Sequence, residues 1–228
     1  MTAPLTLYYA PDNASLCVRL ALLALDVPFE TRLVDRSTSG QNTPDYIALN
    51  PNGLIPTLVT PTGPIYETGA ILLWLADSAP VPFFPQANTA KRGDVLTWLF
   101  WLSNTLHPAL RMSFYPDKYI VADQTTALLQ ATRKNLDANF AQLDTHANWV
   151  DDPQIGILHC YLAPMVRWSA LYGSDQRWFD LSRYPRIDAF ARRFEQSQIV
   201  RAACLAEGLG TTPFSAPQPP DPPEGSAT

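Results

Sequence analysis

Two stretches of the chain gather residue types that could do chemistry. In "YYAPDNASLCVRLALLAL" (8–25), Asp12, Asn13 and Ser15 stand between a strand-like and a helix-like segment, with Cys17 one turn further on. A helix start collects unpaired backbone N–H groups and the positive end of the helix dipole. Side chains placed there either cap the helix or help it hold an anion.

The second stretch is "NPNGLIPTLVTPTGPIYETGAILLWLAD" (50–77). Pro56 follows a turn and precedes a strand, a place that suits a cis X-Pro bond. Ile55, just before it, then offers its backbone outward as an edge for a peptide-like ligand. Glu67 and Thr68 end a strand and begin a helix. Thr68 suits a helix cap and a carboxylate site, and Glu67 an acceptor for an ammonium group. Singly, these are a turn proline, a cap and a solvated charge. Together they describe a pocket for a molecule with an amine, a carboxylate and a peptide backbone.

The elements that must position these residues follow from periodicity. "LTLYY" and "FETRLV" read as strands around the helix "SLCVRLALLAL", in which Leu16, Leu20 and Leu23 recur at helical spacing. "TPDYIALN" is a short helix, "TLVT" and "PIY" are strands, and "TGAILLWLAD" is a helix. The order is βαβ-α-ββα, with a parallel first pair and an antiparallel last pair expected. Helical signals alone follow, in "KRGDVLTWLFWLSNTL", "QTTALLQATRKNLDANFAQLDTH", "GILHCYLAPMVRWSALYG" and "YPRIDAFARRFEQS". The expected division is an α/β domain over 1–80, a linker over 81–88 within "SAPVPFFPQANT", an all-α domain over 89–210, and a tail over 211–228. That tail, "TTPFSAPQPPDPPEGSAT", is rich in proline and poor in large apolar groups. It is expected to lie extended or disordered.

Composition narrows the classes of function. A net charge of −5 argues against a general nucleic-acid or anionic-membrane binder. Three widely spaced cysteines (Cys17, Cys160, Cys204) form neither a disulfide framework nor a metal-ligand pattern. No basic leader or long apolar run is visible, and a cytoplasmic protein without a metal is expected.

The order of elements, the phrase "NPNGLIPTL…ETGAILLWLAD" and the helical second half resemble the cytosolic glutathione transferases. The resemblance covers nearly the whole chain except its tail. It implies a thioredoxin-like N-terminal domain, an all-helical C-terminal domain, a homodimer and glutathione as cosubstrate. Ile55, next to a cis Pro56, then binds the cysteinyl backbone of glutathione, and Glu67 and Thr68 hold its γ-glutamyl end. "LYYAPDNASLCVRLAL" and "WLFWLSNTLHPAL" are similar to the bacterial beta class, which places His107 near the acceptor pocket. The nucleophilic cysteine of that class falls on Ala14.

Such an enzyme needs the glutathione sulfur as thiolate, favoured by a nearby donor and a helix N-terminus. Ser15 ranks first for that role, Asn13 second and Tyr9 third, while Cys17 reads as a small core residue. His107 either packs at a bend or serves the reaction as a neutral imidazole. Met112, Phe114, Tyr115 and Trp168 are candidates for the wall of a pocket that takes an apolar electrophile. Arg19 and Arg111 either answer the acidic ends of glutathione or are surface charges. The family's capping box before its buried helix is expected to be lost, because Gly156, Ile157, Leu158 and His159 stand there. A glutathione transferase with a detoxifying role is the leading reading. The alternatives are a glutathione-dependent disulfide reductase and a noncatalytic glutathione-binding scaffold.

Overall fold

The computed structural model describes residues 4–78, 85, 89–173 and 178–227. Four strands form one mixed sheet in the order β2-β1-β3-β4: β1 (Leu5–Tyr9), β2 (Phe29–Leu33), β3 (Thr57–Thr60) and β4 (Gly63–Tyr66). Helix α1 (Ser15–Ala24) carries the chain from β1 back to a parallel β2, with Leu5 opposite Phe29. A tight turn makes β3 and β4 antiparallel, with Thr57 opposite Tyr66. Leu7 and Leu58 of the sheet are buried with Leu16 and Leu20 of α1 and with Ile71 and Leu72 of α3 (Thr68–Ser78). The short α2 (Pro44–Leu49) is capped by Thr43, whose hydroxyl accepts from the Tyr46 N–H at 3.4 Å. The thioredoxin-like arrangement expected from the sequence is the one observed.

The helical half comprises α4 (Ala90–Trp101), α5 (His107–Phe114), α6 (Thr125–His146), α7 (Ile157–Leu171), α8 (Pro185–Phe194) and α9 (Gln198–Glu207). The sequence pattern suggests one helix running on to Leu106. A π-helical turn at Leu102–Leu106 instead joins α4 to α5. The run stays helical, with the His107 N–H bonded back to the Leu102 carbonyl, and Pro108, which has no N–H to donate, follows directly after this wider turn. Helix α9 was not among the expected elements. Its limits are Ser197, which accepts from the Val200 N–H at 3.4 Å, and Gly208 at φ +64°. Helix α7 is buried on nearly every side, from Ile157 to Ser169. Apart from Pro85, the expected linker over 81–88 lies outside the described residues.

Two expectations are corrected. First, helix α7 keeps half of a capping box. The His159 Nδ1 accepts from the Gly156 N–H at 2.9 Å, while its Nε2 faces the Trp149 carbonyl at 2.8 Å. His159 thus does the work of the carboxylate or amide usual at that position, and Gly156 has no side chain to return the bond.

Second, the tail carries no helix or strand, yet it is packed. Phe214 is buried and stacks on Phe194 at 5.7 Å, and Glu195 accepts from the Ser215 N–H at 3.1 Å and its hydroxyl at 2.6 Å. Further on, the Asp221 N–H bonds to the Gly208 carbonyl at 2.9 Å. Glu224 then meets the Tyr9 hydroxyl, and the Ala227 carbonyl accepts from Arg36. The tail therefore runs from the helical half across to the end of β2.

These contacts give two expected outcomes. Phe214→Ala empties a buried aromatic site, with a loss of about 3 kcal/mol in urea unfolding; an unchanged midpoint would show the tail to be merely laid on the surface. Burial pushes the His159 imidazole down to about 4, from its ordinary 6.5. Between those pH values the unfolded chain binds a proton that the folded chain refuses. The stabilising contribution is full above pH 6.5 and fades as pH falls toward 4. His159→Gln keeps an acceptor that does not titrate, so its melting temperature should fall less than that of wild type over this window. Parallel curves would exclude His159 as the source.

Candidate functional site

A cavity of about 440 Å³ opens between the sheet domain and the helical half. One wall is the turn before α1, where Asp12, Asn13 and Ala14 all line it. Asp12 takes a left-handed φ of +49° and is buried. Its Oδ1 accepts from Arg167 Nε at 2.9 Å and from Trp168 Nε1 at 3.0 Å, and its Oδ2 accepts from the Tyr172 hydroxyl at 2.6 Å. The Asp12 N–H donates to Glu207 at 2.9 Å. Helix α7 and the end of α9 thereby fix the turn from behind. The Asn13 Oδ1 accepts from the Ala14 N–H at 2.8 Å, which leaves the Nδ2 group as the donor Asn13 can offer the cavity. Ala14 is the N-cap residue of α1, and no acidic side chain in the first turn offsets the helix's positive end.

Ser15 and Tyr9 point elsewhere. Ser15 is fully buried; its hydroxyl donates to the Ala10 carbonyl at 3.0 Å and accepts from the Ala10 N–H at 3.3 Å. Its side chain neither caps α1 nor lines the cavity. The buried Tyr9 ring lies under Arg19, 4.6 Å from its guanidinium, and its hydroxyl is held by Glu224 of the tail. Burial and that carboxylate push the phenol's pKa up. Arg19 is itself buried and paired with Glu207 at 2.6 Å, so it is neither a surface charge nor a cavity residue. Cys17 is buried too, and burial pushes its thiol up.

The second wall is the "NPNGLIP" loop. Asn50 Nδ2 and the Tyr46 hydroxyl both donate to the Leu54 carbonyl, each at 2.7 Å, and the Asn52 N–H donates to Asn50 Oδ1 at 3.1 Å. Gly53 sits at φ +59° in this turn. The loop delivers Ile55 and a buried Pro56 to the cavity through the expected cis peptide. Glu67, exposed at φ +72°, and the buried Thr68 line the cavity beside them. The Ile71 N–H bonds to the Glu67 carbonyl at 3.0 Å, so Glu67 holds the N-cap position and Thr68 is the first helical residue. The sequence had suggested Thr68 for the cap.

The helical half supplies the third wall. His107 lines the cavity with Nδ1 3.1 Å from the Tyr161 hydroxyl, and its ring lies 5.7 Å from that of Trp168. Burial, reinforced by Arg111, pushes its pKa down to about 4, so the imidazole is neutral at pH 7. Phe114, Tyr115 and Trp168 line the cavity as expected, and Met112 lies outside the lining. Arg36, Arg111 and Lys118 complete that side, with Ala227 of the tail at the rim.

Several residues here escaped the sequence: Asp12 as an anchor, its buried partner Arg167, Arg36, Tyr161, Tyr172, and Glu207, the buried partner of Arg19. For Arg167 a signal existed, a lone cation inside the apolar run "YLAPMVRWSALY". A charge there must find a buried partner.

The family model described as "Glutathione S-transferase, N-terminal domain" matches residues 14–78. Glutathione S-transferase GST-4.5 of Xanthomonas campestris pv. campestris is 32% identical over 89% of this chain and 98% of its own length. The disulfide-bond oxidoreductase YfcG of Escherichia coli is 24% identical over 90% of this chain and 96% of its own. A sphingomonad glutathione S-transferase solved in complex with glutathione superposes with a TM-score of 0.72 at 27% identity, covering 90% of this chain and 100% of that one. The likeness runs through the α/β half and the helical half alike, nearly from end to end, and the chain belongs to the glutathione S-transferase family.

Proposed function

We propose that this chain is a glutathione transferase that binds glutathione as thiolate against the start of α1 and directs it at an electrophilic carbon. The observation that carries this is a meeting of parts. Asn13 and Ala14, at the positive end of a helix, share one cavity with Ile55, Glu67, Thr68 and the aromatic wall. Ile55 pairs with the cysteinyl backbone, Thr68 at the start of α3 takes the γ-glutamyl carboxylate, and Glu67 takes the ammonium. The sulfur then lies over Ala14, whose methyl group leaves it room, with Asn13 Nδ2 as donor. That moves the activating role from Ser15, whose hydroxyl is spent on Ala10, and from Tyr9, whose hydroxyl is spent on Glu224.

His107, neutral and tied to Tyr161, stands on the acceptor side, where it can donate to a departing group. The division into domains at 1–80 and 89–210, a homodimer, a cytoplasmic setting and a role in detoxification go with this reading on family likeness. No helix among the described residues is long and apolar enough to cross a membrane.

Ultraviolet titration of bound glutathione tests the assignment. Asn13→Ala should raise the pKa of the bound thiol by about one unit, the worth of one hydrogen bond to a charged group, and slow conjugation about ten-fold at neutral pH. Ser15→Ala should lower stability and leave the titration in place. The opposite pattern would return the role to Ser15, and a fully protonated bound thiol in wild type would favour a noncatalytic scaffold.

YfcG motivates a second reading, a glutathione-dependent disulfide reductase. Cys17 and Cys160 are buried, Cys204 is half-buried, and none lines the cavity, so glutathione would be the redox thiol there. The transferase reading expects conjugation of chlorodinitrobenzene to outpace reduction of hydroxyethyl disulfide. The reverse ratio would decide for the reductase.

A further inference from the structure

The acceptor side of the cavity is more cationic than an apolar electrophile requires. Arg36, Arg111 and Lys118 line the cavity, against two carboxylates, Asp12 and Glu67. Asp12 is spent on Arg167, Trp168 and Tyr172. Arg36 donates to the Tyr115 hydroxyl at 3.1 Å and to the Ala227 carbonyl, which places it at the tail side of the rim. Arg111 and Lys118 stand apart from these. Arg111 lies one helical turn beyond His107 on α5, on the same face, and its guanidinium donates to the Tyr119 hydroxyl. Lys118 lies in the turn after α5, with its ammonium 4.8 Å from the centre of the Tyr115 ring. Neither has a carboxylate within ion-pair distance among the described residues. Both border the wall made by Phe114, Tyr115 and Trp168.

An uncharged aromatic acceptor would satisfy that wall and add no counter-charge for the half-buried Arg111 or for Lys118 at the exposed rim, neither of which has one among the described residues. A planar acceptor carrying a carboxylate satisfies both. We propose that the preferred electrophile is an aromatic or conjugated carboxylate, with Arg111 and Lys118 as the residues that bind its anionic group. The proposal rests on the transferase reading above and narrows its substrate class.

With a chlorodinitrobenzoate the step is a redox-neutral substitution. The glutathione sulfur forms a bond to the ring carbon, and the carbon–chlorine bond breaks with its electron pair leaving on chloride. The thiol proton has already passed to solvent when the thiolate formed.

The test compares chlorodinitrobenzene with the chlorodinitrobenzoate that adds one ring carboxylate, each rate divided by its uncatalysed rate with glutathione. Wild type should favour the carboxylate about ten-fold in kcat/KM. Arg111→Gln and Lys118→Gln should each cut that preference about three-fold, mainly through KM, as expected of partly exposed ion pairs. Salt at about 1 M, where the Debye length is about 3 Å, should compress the preference as well. Dinitrobenzoate, which lacks a leaving group, should compete with the acceptor more tightly than dinitrobenzene. Equal normalised rates in wild type, or variants that slow both substrates alike, would overturn the proposal while leaving the transferase standing. Failure to bind glutathione in calorimetry would remove both together.

Discussion

The Asp12 carboxylate is the constraint on which the site's geometry depends. A buried charge is costly unless it is paired and its remaining hydrogen-bonding positions are filled. Asp12 meets that condition with Arg167, Trp168 and Tyr172 on its two oxygens, and its own N–H is taken by Glu207. Arg167 meets it as well, because its remaining donors reach the carbonyls of Leu209, Pro213 and Gln218. Removing one partner strands the other in a dry interior, a loss of about 3–5 kcal/mol in comparable buried pairs. The left-handed backbone at Asp12 is therefore held by groups from α7 and α9, and Asn13 comes to the cavity as a consequence. The donor proposed for the thiolate is placed by the half of the protein that forms the acceptor pocket.

The pair Arg19–Glu207 extends the same chain of charges under α1. Burial pushes the Glu207 carboxyl up to about 7, against the pull of Arg19. Its folded value lies above the ordinary 4.5, so its contribution to stability is full below that pH and fades as pH rises through 7. The imidazoles of His107 and His159, both pushed down by burial, contribute in the opposite direction. Stability is thus bounded from the acid side by the imidazoles and from the alkaline side by the carboxyl. The tail belongs to this balance, since Arg167 and Tyr9 each spend donors on it.

The order of elements, the sheet's pairing and the Ile55–Pro56 loop were legible because each depends on local pattern: β–α alternation, "NPNG", and a proline before a strand. What escaped depends on choices that local pattern leaves open. A serine at a helix start can turn its hydroxyl to the helix, to a ligand or back along the chain. Here the Ala10 backbone at the end of β1 takes both its donor and its acceptor. The tail escaped because composition reports apolar area and is silent about backbone acceptors. Proline has no N–H to satisfy, so a Pro-rich segment brings carbonyls into a buried place with fewer donors to pair. Arg167, with donors to spare, is a fitting partner for such a segment. His159 escaped for a related reason: a neutral imidazole nitrogen accepts as a capping carboxylate does, although its residue type does not advertise it.

These placements bear on how the site can be selective without a cysteine of its own. In the beta class, by resemblance, a protein thiol stands where Ala14 stands here. Ala14 lines the cavity, while Cys17 and Cys160 are buried with their thiols pushed well up, and Cys204 is pushed up to about 11. A thiol that stays protonated is a poor nucleophile, and one outside the cavity cannot meet the acceptor. On the proposed transferase reading, an electrophile held against Phe114, Tyr115 and Trp168 would therefore face a single reactive sulfur, that of glutathione. The same arrangement protects the enzyme, since no side-chain thiol in the cavity is exposed to alkylation by its own substrate. On that argument, replacing a nucleophilic cysteine by alanine is compatible with transferase chemistry, provided that the helix end and one amide donor keep the incoming sulfur ionised.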